Sequence, residues 1–582
     1  MHSSIMLFCR PALRVGRHSH YFSMLPTSIL RAGWFRTLTV LVVCFFSFFP
    51  YLGTPNVSLM EARNFVAARE MVNGGSWLIP TMNLELRLAK PPLPTWAVAT
   101  AMKLAGTTSN LFVLRLPAAL MATLLILFFW GLARELTRRL PTETDEPGRT
   151  AWLGALVLAS SLLIITSGRE GQWDIFSNSF MVGTLWLLTR GWNSAGRGYG
   201  WFAAAGVTLG ASMLSKGPVA PYAMLLPYVA CYLSRLNPWR ATVRAHWQGT
   251  ALAAVLGLGI GLSWPLYVYS HVPAAVLAVA QVETTSWGER HVQPPWYYLN
   301  FPVFSGIWTL VALVALYVPY ARHRAGAYVP YLLLLGWLVT SLVLLSLVPE
   351  KKERYMLPLL PPIALLIAGM LRYLETAFQR PTTVLPTERR LVRAWTVVLV
   401  VVCALAPLAM MVVRLPGFGP NTLRFVAVVV VLGSVAVVAI RQGWQHLRPT
   451  ALMATSLTAM AALLALLLPA YPRWEGRRDE QGLRHLVDVR RQPTLRKLPW
   501  YSMGEVPVKQ IWMIGEPMPD ISDDTLHTLS RLPVVVLSDE PYDDEDLPQA
   551  WQASVDAMPS DSFYLGRDRG AGIWYYTVLR RK

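Results

Sequence analysis

The chain has 582 residues, 54% hydrophobic and 15% charged, with a net charge of +19 and a mean hydropathy of +0.39. Soluble domains carry about 25% charged residues, so composition excludes an ordinary soluble protein and points to a polytopic membrane protein. Before Tyr471 there are 37 Lys/Arg against 15 Asp/Glu, and from there on 15 against 18. The basic residues sit between apolar stretches, as membrane topology requires and nucleic-acid binding does not.

Residues 1–36 lack a cleavable signal pattern and read as a cytoplasmic N-terminus. A spanning helix needs about 20 apolar residues. About thirteen spans are expected, at 37–52, 111–133, 151–167, 175–189, 201–214, 218–233, 250–270, 301–320, 329–348, 355–373, 394–413, 422–440 and 450–470. With the N-terminus inside, alternate loops hold 23 basic residues inside and 14 outside, although the outer loops are longer. This bias sets the orientation and places residues 471–582 outside.

The first outer loop, 54–110, should carry two interfacial helices, near 61–73 and 91–103. Ala62, Phe65, Val66, Ala68 and Met71 can share an apolar face, as in a helix lying on the bilayer. The tail changes character. Stretches 508–514, 534–537 and 573–579 read as strands, and 525–532 and 549–557 as helices. Together they suggest a small soluble α/β domain. The four cysteines, Cys9, Cys44, Cys231 and Cys403, form neither a metal spacing nor a disulfide framework.

Six polar constellations fall on the outer side. Glu61-Ala-Arg63 and Arg69-Glu70 can share a helix face, as a base beside a cation or as a solvated surface. Arg87 and Lys90, before Pro91-Pro92, can anchor a span end or neutralise a phosphate. In Gly168-Arg-Glu-Gly-Gln-Trp-Asp174 the last acid is a helix cap or a working carboxylate. Lys216 lies between two spans with almost no loop, a position that calls for an anion. Glu283 through Trp296 includes Arg290 and His291, the latter a solvated histidine rather than a ligand, since no second ligand has a fixed spacing to it. Pro349-Glu-Lys-Lys-Glu-Arg-Tyr355 puts three cations in four residues against the positive-inside bias. Cations suit a phosphate leaving group, and an acid suits activation of an acceptor.

These motifs resemble those of the family-39/83-type integral-membrane glycosyltransferases of the GT-C class. That group includes the lipid A aminoarabinose transferases and, more distantly, the protein O-mannosyltransferases. The resemblance rests on Met60-Glu-Ala-Arg-Asn64, Arg69-Glu-Met71, Gly75-Ser-Trp-Leu-Ile-Pro80, Asn83, Lys90-Pro-Pro-Leu-Pro-Thr-Trp96, Asp174, Lys216-Gly-Pro218 and Arg354-Tyr-Met-Leu-Pro358. It covers residues 35 to 370 in order.

The resemblance implies a transmembrane glycosyltransferase domain at 37–470 and inverting transfer from a polyprenyl-phosphate sugar to a lipid or glycan acceptor. The reaction would occur outside the bacterial cytoplasmic membrane. By position, Glu61 and Asp174 would be the working acids. Lys90, Lys216 and Arg354 would hold the donor phosphate, with Tyr355 as a hydrogen-bond partner and Arg63, Arg290 and Lys352 as further cations. Met60, Asn64 and Ala89 depart from the pattern, which has an acid, a tyrosine and an acid there. No cofactor follows from the residues, and the departures at Met60 and Ala89 bear on any divalent metal. Two other readings stand beside transfer: a lipid-linked sugar transporter or flippase, and an inactive relative that binds lipid-linked sugar.

Overall fold

A computed structural model describes residues 33–582 except 236–238, 380–383, 414–421, 471–485, 505, 522–529, 542, 546, 548 and 565–572. The chain divides into a short first unit, residues 1–39, and a second, residues 40–582. The described part of the first is the opening of helix α1 (Gly33–Phe48).

The second unit is mainly helical. Its helices are α2 (Leu59–Val72), α3 (Leu93–Ala105), α4 (Leu111–Thr137), α5 (Arg149–Ala159), α6 (Leu162–Gly168), α7 (Trp173–Trp192), α8 (Tyr199–Lys216), α9 (Leu226–Ser234), α10 (Trp239–His271) and α11 (Pro273–Glu289). They continue with α12 (Thr309–Leu316), α13 (Val318–Ala325), α14 (Tyr331–Leu347), α15 (Leu360–Phe378), α16 (Pro386–Val413), α17 (Leu423–Ile440) and α18 (Pro449–Leu467).

Every apolar stretch expected to span falls on a helical segment. Seven helical segments among the described residues are long and apolar enough to cross a membrane by themselves. An eighth joins them if α5 and α6, which meet at 62°, form one broken span. The molecule is thus a polytopic helical membrane protein. In its centre α8 packs on α10 and on α7, and α7 packs on α4. Gly206 and Gly210 of α8 let α10 approach: a Cβ at Gly206 would stand 2.9 Å from the Ala253 carbonyl, and one at Gly210 2.5 Å from Ile260 Cβ. Small residues four apart allow this packing where burial from lipid gives no driving force.

The loop after α1 is protein-covered. Ala62 and Val66 are buried in a cluster with Val508, Ile511, Ile514 and Trp574 of the tail. Phe65, Ala68 and Met71 pack with Val98, Met102 and Leu114. The apolar face of α2 therefore meets protein and not the bilayer as expected, because tail, α3 and α4 cover both of its edges.

The tail contains α19 (Leu486–Arg491), α20 (Val508–Ile514), the short α21 (Gln549–Gln552) and a five-stranded sheet. Two short strands of the first loop, β1 (Thr81–Met82) and β2 (Glu85–Leu86), form a separate hairpin. The sheet strands are β3 (Trp500–Ser502), β4 (Val534–Ser538), β5 (Val555–Ala557), β6 (Asp561–Tyr564) and β7 (Ile573–Arg581). Strand β4 is parallel to β3 and antiparallel to β7, which also pairs with β5 and β6. The run Val534-Val-Val-Leu537 fits this central place. Val535 and Leu537 face one core, while Val534 and Val536 face another with Tyr501, Trp551 and Leu579.

The expected strand at 508–514 is instead helix α20. Pro507 precedes it and Gly515, at φ 88°, closes it by donating N–H to the Ile511 carbonyl. That Pro-before, Gly-after signature outweighs a short apolar run that fits either element. The stretch 549–557 splits into α21 and β5. Most of the helix expected at 525–532 lies outside the described residues.

Candidate functional site

Helix α2 starts with a capping box: the Ser58 hydroxyl accepts from Glu61 N–H at 3.3 Å, and the Glu61 carboxylate accepts from Ser58 N–H at 3.0 Å. The same carboxylate is gripped by Arg115 of α4, Nε to Oε1 at 2.6 Å and Nη2 to Oε2 at 2.9 Å. Arg115 also donates to the Leu52, Pro55 and Asn56 carbonyls at 2.9, 2.9 and 3.1 Å. Both side chains are 1% exposed. Sequence reasoning passed over Arg115, although an ionised residue inside an apolar span is itself a signal.

Glu61 accepts a further bond from Gly171 N–H at 2.9 Å, and Asn64 donates to the Gly171 carbonyl at 2.8 Å while accepting from Thr95 at 2.7 Å. A Cβ on residue 171 would stand 2.5 Å from the Phe65 ring. The first constellation thus positions the third.

The rest of α2 also builds scaffold. Glu70 accepts from Thr81 Oγ1 at 2.6 Å and Asn83 N–H at 2.7 Å, holding the β1–β2 turn. Arg69 donates to the last carbonyls of α20, Ile511 at 3.0 Å and Trp512 at 3.4 Å. Cations suit a helix C-terminus. Arg63 is exposed.

Asp174 lies in the first turn of α7, where the helix dipole favours an anion. It is ion-paired with Lys216 at the end of α8, and its other oxygen stands 3.5 Å from Arg354 Nε. The Asp174 side chain is 4% exposed, Lys216 9% and Arg354 21%. The Lys216 ammonium sits 4.3 Å from the centre of the Tyr355 ring. Third, fourth and sixth constellations therefore meet.

The others attach at the edges. Lys90 pairs with Glu283 at 3.2 Å. Val292 bridges Glu350, and Lys351 N–H donates to the His291 carbonyl at 3.1 Å, so the fifth and sixth segments run side by side. Lys352 pairs with Glu350, and its backbone N–H meets the Tyr298 hydroxyl at 3.3 Å. Arg290 and His291 are exposed, with His291 at φ 52°. Arg87 is buried, stacks 4.8 Å from the centre of the Trp173 ring and has its pKa lowered to about 10 by burial and then by Arg63.

Glu170 is the acid that sequence reasoning quoted but did not select. It is half-buried, and its carboxylate accepts from the Gln172 amide. Burial first, then the Glu61 carboxylate, raise its pKa to about 7 against the pull of Arg354 and Arg115. Among the described residues no group of three or more His, Cys, Asp or Glu side chains could hold a metal ion. Ala89 and Met60 supply no donor oxygens.

Known proteins share this plan. The family described as dolichyl-phosphate-mannose-protein mannosyltransferase matches residues 89–264. An undecaprenyl phosphate-alpha-4-amino-4-deoxy-L-arabinose arabinosyl transferase 2 of Pseudomonas fluorescens is 27% identical over 322 residues, 53% of this chain and 52% of its own length. The transferase of the same name, without the numeral, from Pseudomonas aeruginosa is 28% identical over 438 residues, 71% of each chain. The chain spans about half the length of the first of these relatives. The crystal structure of ArnT from Cupriavidus metallidurans bound to undecaprenyl phosphate superposes with a TM-score of 0.63 at 18% identity, covering 94% of this chain and 98% of that one. Its apo form gives 0.59 at 17% identity, with the same coverage. At that identity the likeness is one of fold. Family match, sequence relatives and fold agree in likening the chain to integral-membrane glycosyltransferases of the GT-C type.

Proposed function

We propose that the protein transfers a sugar from a polyprenyl-phosphate donor to a lipid acceptor on the outer face of the bacterial cytoplasmic membrane. The arabinosyl transferases among its relatives favour an aminopentose over a hexose. One observation carries the reading. Asp174, Lys216, Arg354 and Tyr355, from three separate segments, converge on one point with Lys90 beside them.

In this reaction an acceptor oxygen attacks the anomeric carbon of the donor sugar. The bond from that carbon to the phosphate oxygen breaks, and the polyprenyl phosphate leaves as an anion. Lys90, Lys216 and Arg354 stabilise that anion, with Arg63, Arg290 and Lys352 as outer cations. Asp174 orients Lys216 and Arg354 and lies next to the reacting centre. A hydroxyl acceptor gives its proton to Glu170, whose pKa near neutrality suits a base. Glu61, with its oxygens taken up by Arg115, Ser58 and Gly171, acts as a positioning residue.

The same convergence, together with the packing of the tail on α2, fits thirteen crossings with residues 1–36 inside and 471–582 outside as a periplasmic α/β domain. The clusters at 61–64, 170–174, 216, 283–293 and 350–355 can meet when an even number of spans separates each from the next. The test is transfer from undecaprenyl-phosphate-linked 4-amino-4-deoxy-arabinose to lipid A by purified protein, read by mass spectrometry. A product heavier by one aminopentose is expected. No product with this donor or a hexose donor would overturn the reading.

A further inference from the structure

At the end of the helices opposite Asp174, three arginines and two tryptophans line a cavity of about 460 Å³. Arg134 and Arg138 come from the end of α4, Arg190 and Trp186 from the end of α7, and Trp201 from the start of α8. Asp174 and Arg190 are sixteen residues apart on α7, about 24 Å at 1.5 Å per residue. The cavity is therefore separate from the site described above.

Arginines at helix C-termini often need no ligand, because the negative end of the helix dipole suits them. Here the charges do not cancel. Glu135 is shared between Arg190 and Arg138, the latter at 3.1 Å. Glu143 is occupied by the backbone N–H groups of Gly148 and Thr150, holding the turn beside the cavity. Arg134 lines the cavity, is exposed and has no carboxylate partner among the described residues. The Arg190 guanidinium lies 5.4 Å from the centre of the Trp201 ring. Trp186 packs flat on Gly131, where a Cβ would stand 2.5 Å from the indole.

A second observation identifies the chemistry. Leu120, Leu127 and Arg134 recur every seventh residue, on one face of α4. Leu120 is 53% exposed and Leu127 36%. An apolar track thus runs along the helix and ends at the unpaired cation. A free phosphate has no use for such a track, whereas an acyl chain does.

We propose that this cavity binds the headgroup of an anionic phospholipid. The phosphate lies between Arg134 and Arg190, the glycerol region lies against the two indoles, and one acyl chain follows Leu127 and Leu120. Basic pockets between membrane helices, with aromatic residues at headgroup level, have this chemistry.

The test uses the full chain in neutral detergent and native mass spectrometry with dioleoyl-phosphatidylglycerol, dioleoyl-phosphatidylcholine and soluble glycerol phosphate. Phosphatidylglycerol is expected to stay bound in preference to phosphatidylcholine, and Arg134→Gln to weaken it about fivefold, one surface charge's worth. Trp201→Ala should weaken it too, and Arg441→Gln, at another basic helix end, should not. Equal retention by wild type and Arg134→Gln, or by the two lipids, would overturn the proposal. Glycerol phosphate competing as well as the lipid would overturn its lipid part by showing a plain phosphate site. Sugar transfer is not the readout, so failure of the transferase reading and failure of this one are distinguishable.

Discussion

Glu61 and Asn64, one turn apart on α2, hold both backbone polar groups of a single residue: Glu61 accepts the Gly171 N–H at 2.9 Å and Asn64 donates to the Gly171 carbonyl at 2.8 Å. Gly171 lies between Glu170 and Asp174. A helix of the loop after α1 thereby sets the position of both acids in the loop before α7.

That clamp makes Glu61 a folding residue first. Its pair with Arg115 is fully buried, and removing one partner leaves an uncompensated charge. Glu61→Ala and Arg115→Met should each destabilise the protein by about 3–5 kcal/mol, and the double variant should regain much of the loss. Thermal unfolding of the three variants checks it. Additive losses would mean that the two side chains do not act as a pair.

Asp174→Asn tests the other acid. It frees Lys216 and Arg354 from a carboxylate, so undecaprenyl phosphate should bind at least as tightly as to wild type. Turnover should nonetheless fall by about 100-fold or more, since the lost carboxylate lies at the reacting centre. Lys216→Ala should do the reverse for binding and lose undecaprenyl phosphate. Binding measured beside transfer rates separates the two effects. Parallel loss of both in Asp174→Asn would assign this acid to folding.

Glu170 gives the site a pH dependence. Its folded-state pKa, about 7, lies above the ordinary value of 4.5. The folded protein therefore binds the extra proton between those values, and this group's contribution to stability declines as pH rises from about 4.5 through 7. Activity should move the other way, rising as Glu170 deprotonates, with a half-point near 7. The groups facing it are Glu61, Asp174, Arg115 and Arg354. Glu170→Gln should be slow and should lose this step in a pH–rate profile. A profile unchanged in shape would remove Glu170 from the proton transfer.

Much of this was legible in the sequence, for physical reasons that differ by residue. The helical spans follow from long apolar runs. Asp174, Lys216 and Arg354 stood out because charges beside apolar spans are costly without partners. The role of Glu61 was not legible, because its partners Arg115 and Gly171 are 54 and 110 residues away. A closer signal existed, since Ser58 three residues before Glu61 spells a capping box. The α2 face misled for a related reason. An apolar helix face looks the same whether lipid or the distant tail covers it. Helix α20 was missed because a seven-residue stretch with five apolar residues fits strand and helix alike.

The dependence of the loop on the tail yields the last prediction. Asn83 donates to the Met518 carbonyl at 2.8 Å and accepts from the Met518 N–H at 2.7 Å, with its own backbone at φ 58° in the turn held by Glu70. Arg69 satisfies the end of α20 from the same helix, and Ala62 and Val66 share the tail's core. Asn83→Ala removes both bonds and leaves two backbone groups unpaired, a cost of about 1–3 kcal/mol for each that stays buried. The β1–β2 turn should then open to protease before the transmembrane helices unfold, and transfer should fall as the α2 clamp on Gly171 loosens. Limited proteolysis mapped by mass spectrometry checks it. Cleavage confined to the tail, with the 81–87 turn and activity untouched, would show that loop and tail fold independently.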